Sequence, residues 1–274
     1  MRTLSATVFC VVIMMAAAPV YAHAIDRLQR EVSVEIVSDQ GSAFRAMPHT
    51  VFWNKGARVI KKYLEARKGE NYGIIIRNNT MERIGVVIAV DGRNIISGKR
   101  SELQNTEDMY IVGSNEQARY DGWRTAQSTV HRFYFTDTAD SYAKKTFDDT
   151  SAMGVIAVAI YRDQDRPRPL SEIRPLKGLP SAPSPAQRSE KSIASGVQRD
   201  EAAGTGFGNE QYSPVTTVEF RPERLPIQKT LIKYEWRDVL CRKGILSCSP
   251  ETGSRLWEEG EFAPFPPGYQ GKAR

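Results

Sequence analysis

Ser141-Tyr142-Ala143-Lys144 places a hydroxyl and an amine one helical turn apart, the spacing with which lysine and serine work together in penicillin-recognising enzymes. That chemistry also needs an S-D-N and a K-T-G element. The chain has neither, since Lys145-Thr146 runs into Phe147 where a glycine is required. G-x-S-x-G, H-E-x-x-H and the phosphate-binding P-loop are absent as well. Gly204-Thr205-Gly206-Phe207-Gly208 has the glycine density of a nucleotide loop, but no strand is predicted before it and no lysine follows at the required offset. Its glycines read instead as residues that let the chain re-enter the fold at tight backbone angles, with Phe207 anchoring the re-entry in the core.

Metal chemistry needs nitrogen, sulfur or clustered carboxylates. Histidine is scarce, limited to His23, His49 and His131, which leans against acid–base catalysis. One arrangement would give it a role. Cleavage of a leader after Ala22 would make His23 the N-terminal residue, whose amine and imidazole, joined by His49 or His131, suit tetragonal copper(II). Exported β-sandwich copper proteins, including copper oxidase-type enzymes, use such a site, whereas cleavage after Ala24 would destroy it. Asp121, Asp137, Asp140, Asp148 and Asp149 form an acid-containing middle, but their spacing matches no calcium loop and they read as solvated carboxylates. Cys241 and Cys248 flank a short glycine-containing loop. With no histidine after His131 to complete a metal site, a disulfide is expected, contributing about 2 kcal/mol. The expected cofactor is therefore none, with copper as the alternative.

The compartment follows from the first residues. Arg2 precedes a short apolar stretch, and Val20-Tyr21-Ala22 offers small side chains at the positions a signal peptidase fits, so residues 1–22 are read as a signal peptide. No later window approaches the length of a membrane span, so the expected location is periplasmic or secreted, and the mature chain is not an integral membrane protein. The oxidising compartment agrees with the cysteine pair. The formal charge of +6 is scattered, with Lys61-Lys62 and Lys144-Lys145 the densest pairs. No basic stripe or nucleic-acid module accompanies it, so nucleic acid is not an expected partner.

The elements that would hold these residues read as strands. Val32–Ile36 alternates apolar and polar residues; residues 59–66 and 72–77 are predicted as strands joined in a hairpin through Arg67-Lys68-Gly69-Glu70. Residues 84–90 are apolar on both faces, which predicts a strand covered on both. Asp91-Gly92 then gives a tight hairpin, returning along residues 93–97. Further strands are predicted at 132–136, 154–161, 215–220 and 230–236. Together these imply an all-β fold, a β-sandwich of mainly antiparallel strands over 28–164. A Pro/Ser-rich, disordered insertion is predicted over 165–203. The strands within 204–248 would complete the sandwich, and 249–274 would be irregular. Trp123 and Trp236 would lie partly in the core.

The stretch IGVVIAVDGRNIISG over 84–98, followed by Gly122-Trp123-Arg124, Phe133-Tyr134-Phe135-Thr136, Ser141-Tyr142-Ala143 and Met153–Ala159, resembles a set of exported proteobacterial proteins. Those share a V-D-G-x-N hairpin, then G-W-R, F-x-F-T, S-Y-A and G-V-I-x-V-A-x-[FY]-R. The likeness covers about residues 58–162 and extends to Gly204–Gly208, Tyr234–Arg237 and Leu240-Cys241. No activity is assigned to that family. The resemblance implies export and a folded unit, and it carries over no catalytic residue.

The resulting expectation is a non-enzymatic envelope protein with a structural or binding role. Its partner would be an envelope component or glycan meeting an exposed sheet face or edge. Trp123 and Arg124 would supply sugar stacking or carboxylate contact there, provided the indole is exposed. The copper site is the alternative.

Overall fold

The computed structural model describes residues 32–165 and 202–248. The leader reading, His23, most of the 165–203 insertion and the tail beyond 248 lie outside the described residues. In chain order the first strands are β1 (Val32–Ser38), β2 (Ala46–Asn54), β3 (Ala57–Ala66), β4 (Asn71–Asn78), β5 (Ile84–Val90) and β6 (Arg93–Asn94). Then come β7 (Tyr110–Val112), β8 (Gln117–Tyr120), β9 (Gly122–Ala126), β10 (Thr129–Asp137) and β11 (Val155–Arg162). The last three are β12 (Ala203–Thr205), β13 (Glu210–Tyr212) and β14 (Gln228–Trp236).

They form two sheets packed face to face, an all-β sandwich. One runs β1-β4-β10-β12, with β8 on β4 and with β9 and β13 on β10. The other runs β2-β3-β14-β11-β5-β6, with β7 on β5. Pairing is antiparallel except between β3 and β14. The interior joins Val34, Ile36, Tyr72, Ile74, Ile76, Phe133 and Phe135 of one sheet to Val86, Ile88, Val90, Ile156, Val158, Ile232 and Tyr234 of the other. Each large side chain fully buried there contributes about 1.5–3 kcal/mol.

The apolar run of β5 is buried along its whole length. Its inner face meets the core. On its outer face Val87 joins Ala159 and Tyr161 beneath Leu103 and Met109, and the Tyr161 hydroxyl donates to Leu103 O at 2.6 Å. Gly85 makes this cover possible, because a Cβ there would stand 2.5 Å from the Phe220 ring and 2.6 Å from Met109 Sδ. The reversal at Asp91-Gly92 has positive φ at both positions, 48° and 77°, as the tight turn requires.

Three expectations are corrected. Residues 59–66 and 72–77 are strands but not a hairpin: β3 pairs with β2 and β14, whereas β4 pairs with β1, β8 and β10. The connection crosses between sheets, which lets Leu64 and Ala66 face Tyr72 and Ile74 across the interior. Residues 215–220 alternate like a strand yet form none, lying largely exposed. The return after Asp91-Gly92 is only the two residues of β6.

Two short α-helices are present among the described residues, besides a 3-10 turn over Thr138–Asp140. In α1 (Tyr142–Phe147), Ser141 is the N-cap. α2 (Arg237–Arg242) belongs to a separate C-terminal unit, in which Cys241 and Cys248 stand at disulfide distance with Cα atoms 5.6 Å apart.

Candidate functional site

On one side of the sandwich the two sheets end, among the described residues, in open edges, β1 in one and β2 in the other. β2 is exposed on both faces over most of its length, so it overhangs. Cross-strand register places Pro48, Val51 and Trp53 opposite Lys62, Ile60 and Arg58 of β3, and these opposite Ile232, Thr230 and Gln228 of β14. Ile232 belongs to the inter-sheet core, so these rows face inward. With Val32, Ser33 and Val34 of β1 as the opposite wall, Pro48, Val51, Ile60, Lys62 and Thr230 bound a cleft of about 320 Å³. Gln228 closes its inner end, its Nε2 donating to Val32 O at 2.9 Å and Thr230 Oγ1 at 3.2 Å.

The cleft offers backbone as well as side chains. Ile36 O accepts from Phe44 N, and Ser38 N donates to Ser42 O, both on the side of β1 away from β4. Backbone groups alternate sides along a strand, so the N–H and C=O of Val34 also point to that open edge. Val51 in the lining is 54% exposed; the aromatic residues stand beside the cleft, Trp53 71% exposed at the end of β2 and Phe52 on the other face beneath Lys61, whose Nζ lies 5.6 Å from its ring centroid. Electrostatics favour anions. From Gln40 to Leu64 the chain carries Arg45, Lys55, Arg58, Lys61 and Lys62 with no aspartate or glutamate, and three of these border the cleft.

A second cluster of polar groups is sealed inside the sandwich. Asp91 is 1% exposed. Its Oδ1 accepts from Gly154 N at 2.7 Å and from the Tyr234 hydroxyl at 2.5 Å, and its Oδ2 accepts from Thr205 N at 2.7 Å. Thr205 Oγ1 lies 2.7 Å from the hydroxyls of both Tyr72 and Tyr234. Burial pushes the Asp91 carboxyl up to about 6, against the lowering effect of these donors and of Lys233. Burial likewise holds both phenols well above their ordinary range. With no route to solvent, the network ties β12 to the β5–β6 turn and β14. Its role is in fastening the two sheets.

The sequence-predicted site residues fare differently. Trp123 is 2% exposed; its indole packs on Phe133 and Tyr142 and its Nε1 donates to Gly206 O at 3.0 Å. It therefore belongs to the interior, which removes it from a sugar-stacking surface. Arg124 spends its donors internally, on the Tyr110 hydroxyl, Ala126 O, Gln127 O and Ser213. His131 Nδ1 lies 3.0 Å from Gly208 O and its ring stacks on Phe207. His49 sits in the other sheet with its ring against Tyr63. Among the described residues no three His, Cys, Asp or Glu side chains group closely enough to share a metal ion.

Ser141 is fully buried and caps α1, donating to Thr138 O and accepting from Lys144 N. Lys144 is paired with Asp148. Phe207 is not a core anchor, being 39% exposed between His131 and Tyr142. The core contact there is made by Thr205 and by Gly206, whose Cβ would fall 2.1 Å from the Tyr134 ring. The cleft itself was missed at the level of sequence. Its signal was the acid-free run from Gln40 to Leu64, within which Val51-Phe52-Trp53 is the apolar centre.

Comparison with protein-family models, with curated proteins and with solved structures gives no match to this chain.

Proposed function

We propose that the protein is an exported, non-enzymatic component of the cell envelope that binds a macromolecular partner at the cleft between β1 and β2. The overhang of β2 carries this reading. An open edge strand with exposed aromatics is a liability in a free protein, normally blunted by charge, proline or a bulge. Here Pro48 and the irregularity beside it interrupt one end, and Val51, Phe52 and Trp53 remain exposed at the other. Aromatic side chains in such positions are the type that anchors partner contacts. Export is supported by the leader-like residues 1–22 and by the cysteine pair, which suits an oxidising compartment. Among the described residues no helix is long and apolar enough to cross a membrane.

Site-specific photo-crosslinking in cells tests this. A photoreactive residue at position 53 should give a discrete adduct in the periplasmic fraction. The same group at position 81, where Met81 is similarly exposed, should give none. Adding Lys62→Glu should abolish the adduct. Equal labelling from both positions, or a chain retained in the cytoplasm, would contradict the proposal.

A further inference from the structure

The observations on the cleft go further than the existence of a binding surface, and identify what it is shaped to take. We infer that its occupant is an extended, acidic segment of another protein, which adds as a strand to the open edge of β1 beneath the inward face of β2. This rests on the reading of the cleft as the binding site.

Geometry comes first. A strand added to β1 would lie about 4.8 Å from it and about 10 Å from the facing sheet, the ordinary spacings of a sandwich. No described strand takes this position in the first sheet, yet the second already supplies its cover in Pro48, Val51 and Ile60. Val34 presents backbone groups to that space, while the far end of β1 is already occupied by its own return at Ala43. Val32 O already accepts from Gln228 and Ile36 O from Phe44, so an incoming segment pairs with the N–H and C=O of Val34 and must leave before Ile36. Strand addition draws affinity from such main-chain bonds and selectivity from alternate side chains. Alternate residues of the segment would point into the cleft and the others into solvent.

Charge then selects the occupant. Lys62 faces into the cleft and Lys61 stands at its rim over Phe52, in a stretch that holds no acid. A carboxylate-bearing segment gains from that potential, and a basic one is repelled. The same argument disfavours a second copy of this chain, because two acid-free β2–β3 hairpins would face each other in a protein of net charge +6.

The test uses the full mature chain and a decapeptide of alternating Val and Glu. Binding is followed by fluorescence anisotropy, and the amide exchange of β1 is read by mass spectrometry. Binding should be at least about tenfold weaker for three changes: Val–Lys in place of Val–Glu, a proline at the peptide's centre, and Lys61→Glu with Lys62→Glu in the protein. The thermal midpoint reports that the variant is folded. Exchange at Val34 should slow on binding of the parent peptide. Equal binding of the proline-containing peptide, or competition by anionic vesicles with Val34 exchange unchanged, would overturn strand addition in favour of a polyanion surface. Protection of Val34 that rises with protein concentration alone would place a second copy there and overturn the acidic partner. A crosslink at position 53 without any peptide binding would sink this inference and spare the binding-site reading. Absence of both would sink the two together.

Discussion

Asp91 shows how a turn residue becomes a fastener. It supplies the positive φ that the β5–β6 reversal needs, and its two oxygens then collect three donors from β12, β14 and the chain before β11. Its carboxyl is pushed up to about 6 by burial, above the ordinary aspartate value in the unfolded chain. Between about pH 4 and 6 the folded state therefore holds a proton that the unfolded state has lost. The stability this group contributes is complete below that window and declines as pH rises through it, by something on the order of 3 kcal/mol. Near pH 4 the folded carboxyl is neutral and already carries one O–H donor, so Asp91→Asn adds a single further donor facing the converging N–H and O–H groups and should cost about 1–3 kcal/mol there. Denaturation of both proteins at pH 4 and pH 7.5 checks the sign: the penalty of Asp91→Asn should shrink at the higher pH. A constant penalty would mean that the carboxyl is not strained by its burial.

The two tryptophans of opposite fate give a second residue-level contrast. Trp123→Ala removes a fully packed indole with a satisfied N–H, and should cost about 3–5 kcal/mol. Trp53→Ala touches an exposed side chain on β2 and should change stability by less than about 0.5 kcal/mol. Urea titration of both variants separates a core residue from a contact residue. If Trp53→Ala proved as costly as Trp123→Ala, β2 would be packed in solution and the cleft closed.

Among elements, those governed by local chemistry were legible. Asp-Gly marked the β5–β6 turn, and the two-sided apolar run of β5 foretold cover on both faces, which Leu103 and Met109 provide. Partner choice was not legible. β3 has the residues of a hairpin strand, but its neighbour β14 comes from the far end of the chain, and no local pattern encodes that pairing. Residues 215–220 have strand-like alternation, yet only Phe220 finds an apolar surface, at Gly85. Alternation describes a face and does not create something to cover it. The polar hydroxyl of Ser141 suggested a nucleophile because a cap and a catalytic serine share the same short spacing to the following residues. The binding role of Trp123 and Arg124 depended on an exposed indole, and sequence cannot show that Gly206 and Ser213 come to meet these two side chains. β2 escaped notice because Pro48 and His49 interrupt its alternation, although the missing acids around it were in plain view.

At the scale of the molecule, unequal edges are the feature that matters. A sandwich whose sheets ended flush would hide both rims, whereas here β2 extends past β1 and, with Lys62 of β3, holds exposed Val51 and Trp53 over an edge of β1 that no described strand occupies. That face follows from how the sheets are filled, since no further described strand stands beside β1. Salt should weaken partner binding, because screening shortens the reach of Lys61 and Lys62. Main-chain pairing would persist as the salt-resistant remainder. The most direct measurement is a set of intermolecular nuclear Overhauser effects between the labelled chain and the Val–Glu decapeptide. Cross-strand contacts from the peptide backbone to Val34, with its inward side chains near Val51 and Ile60, are predicted. Contacts confined to the ammonium ends of Lys61 and Lys62, leaving β1 untouched, would contradict the account.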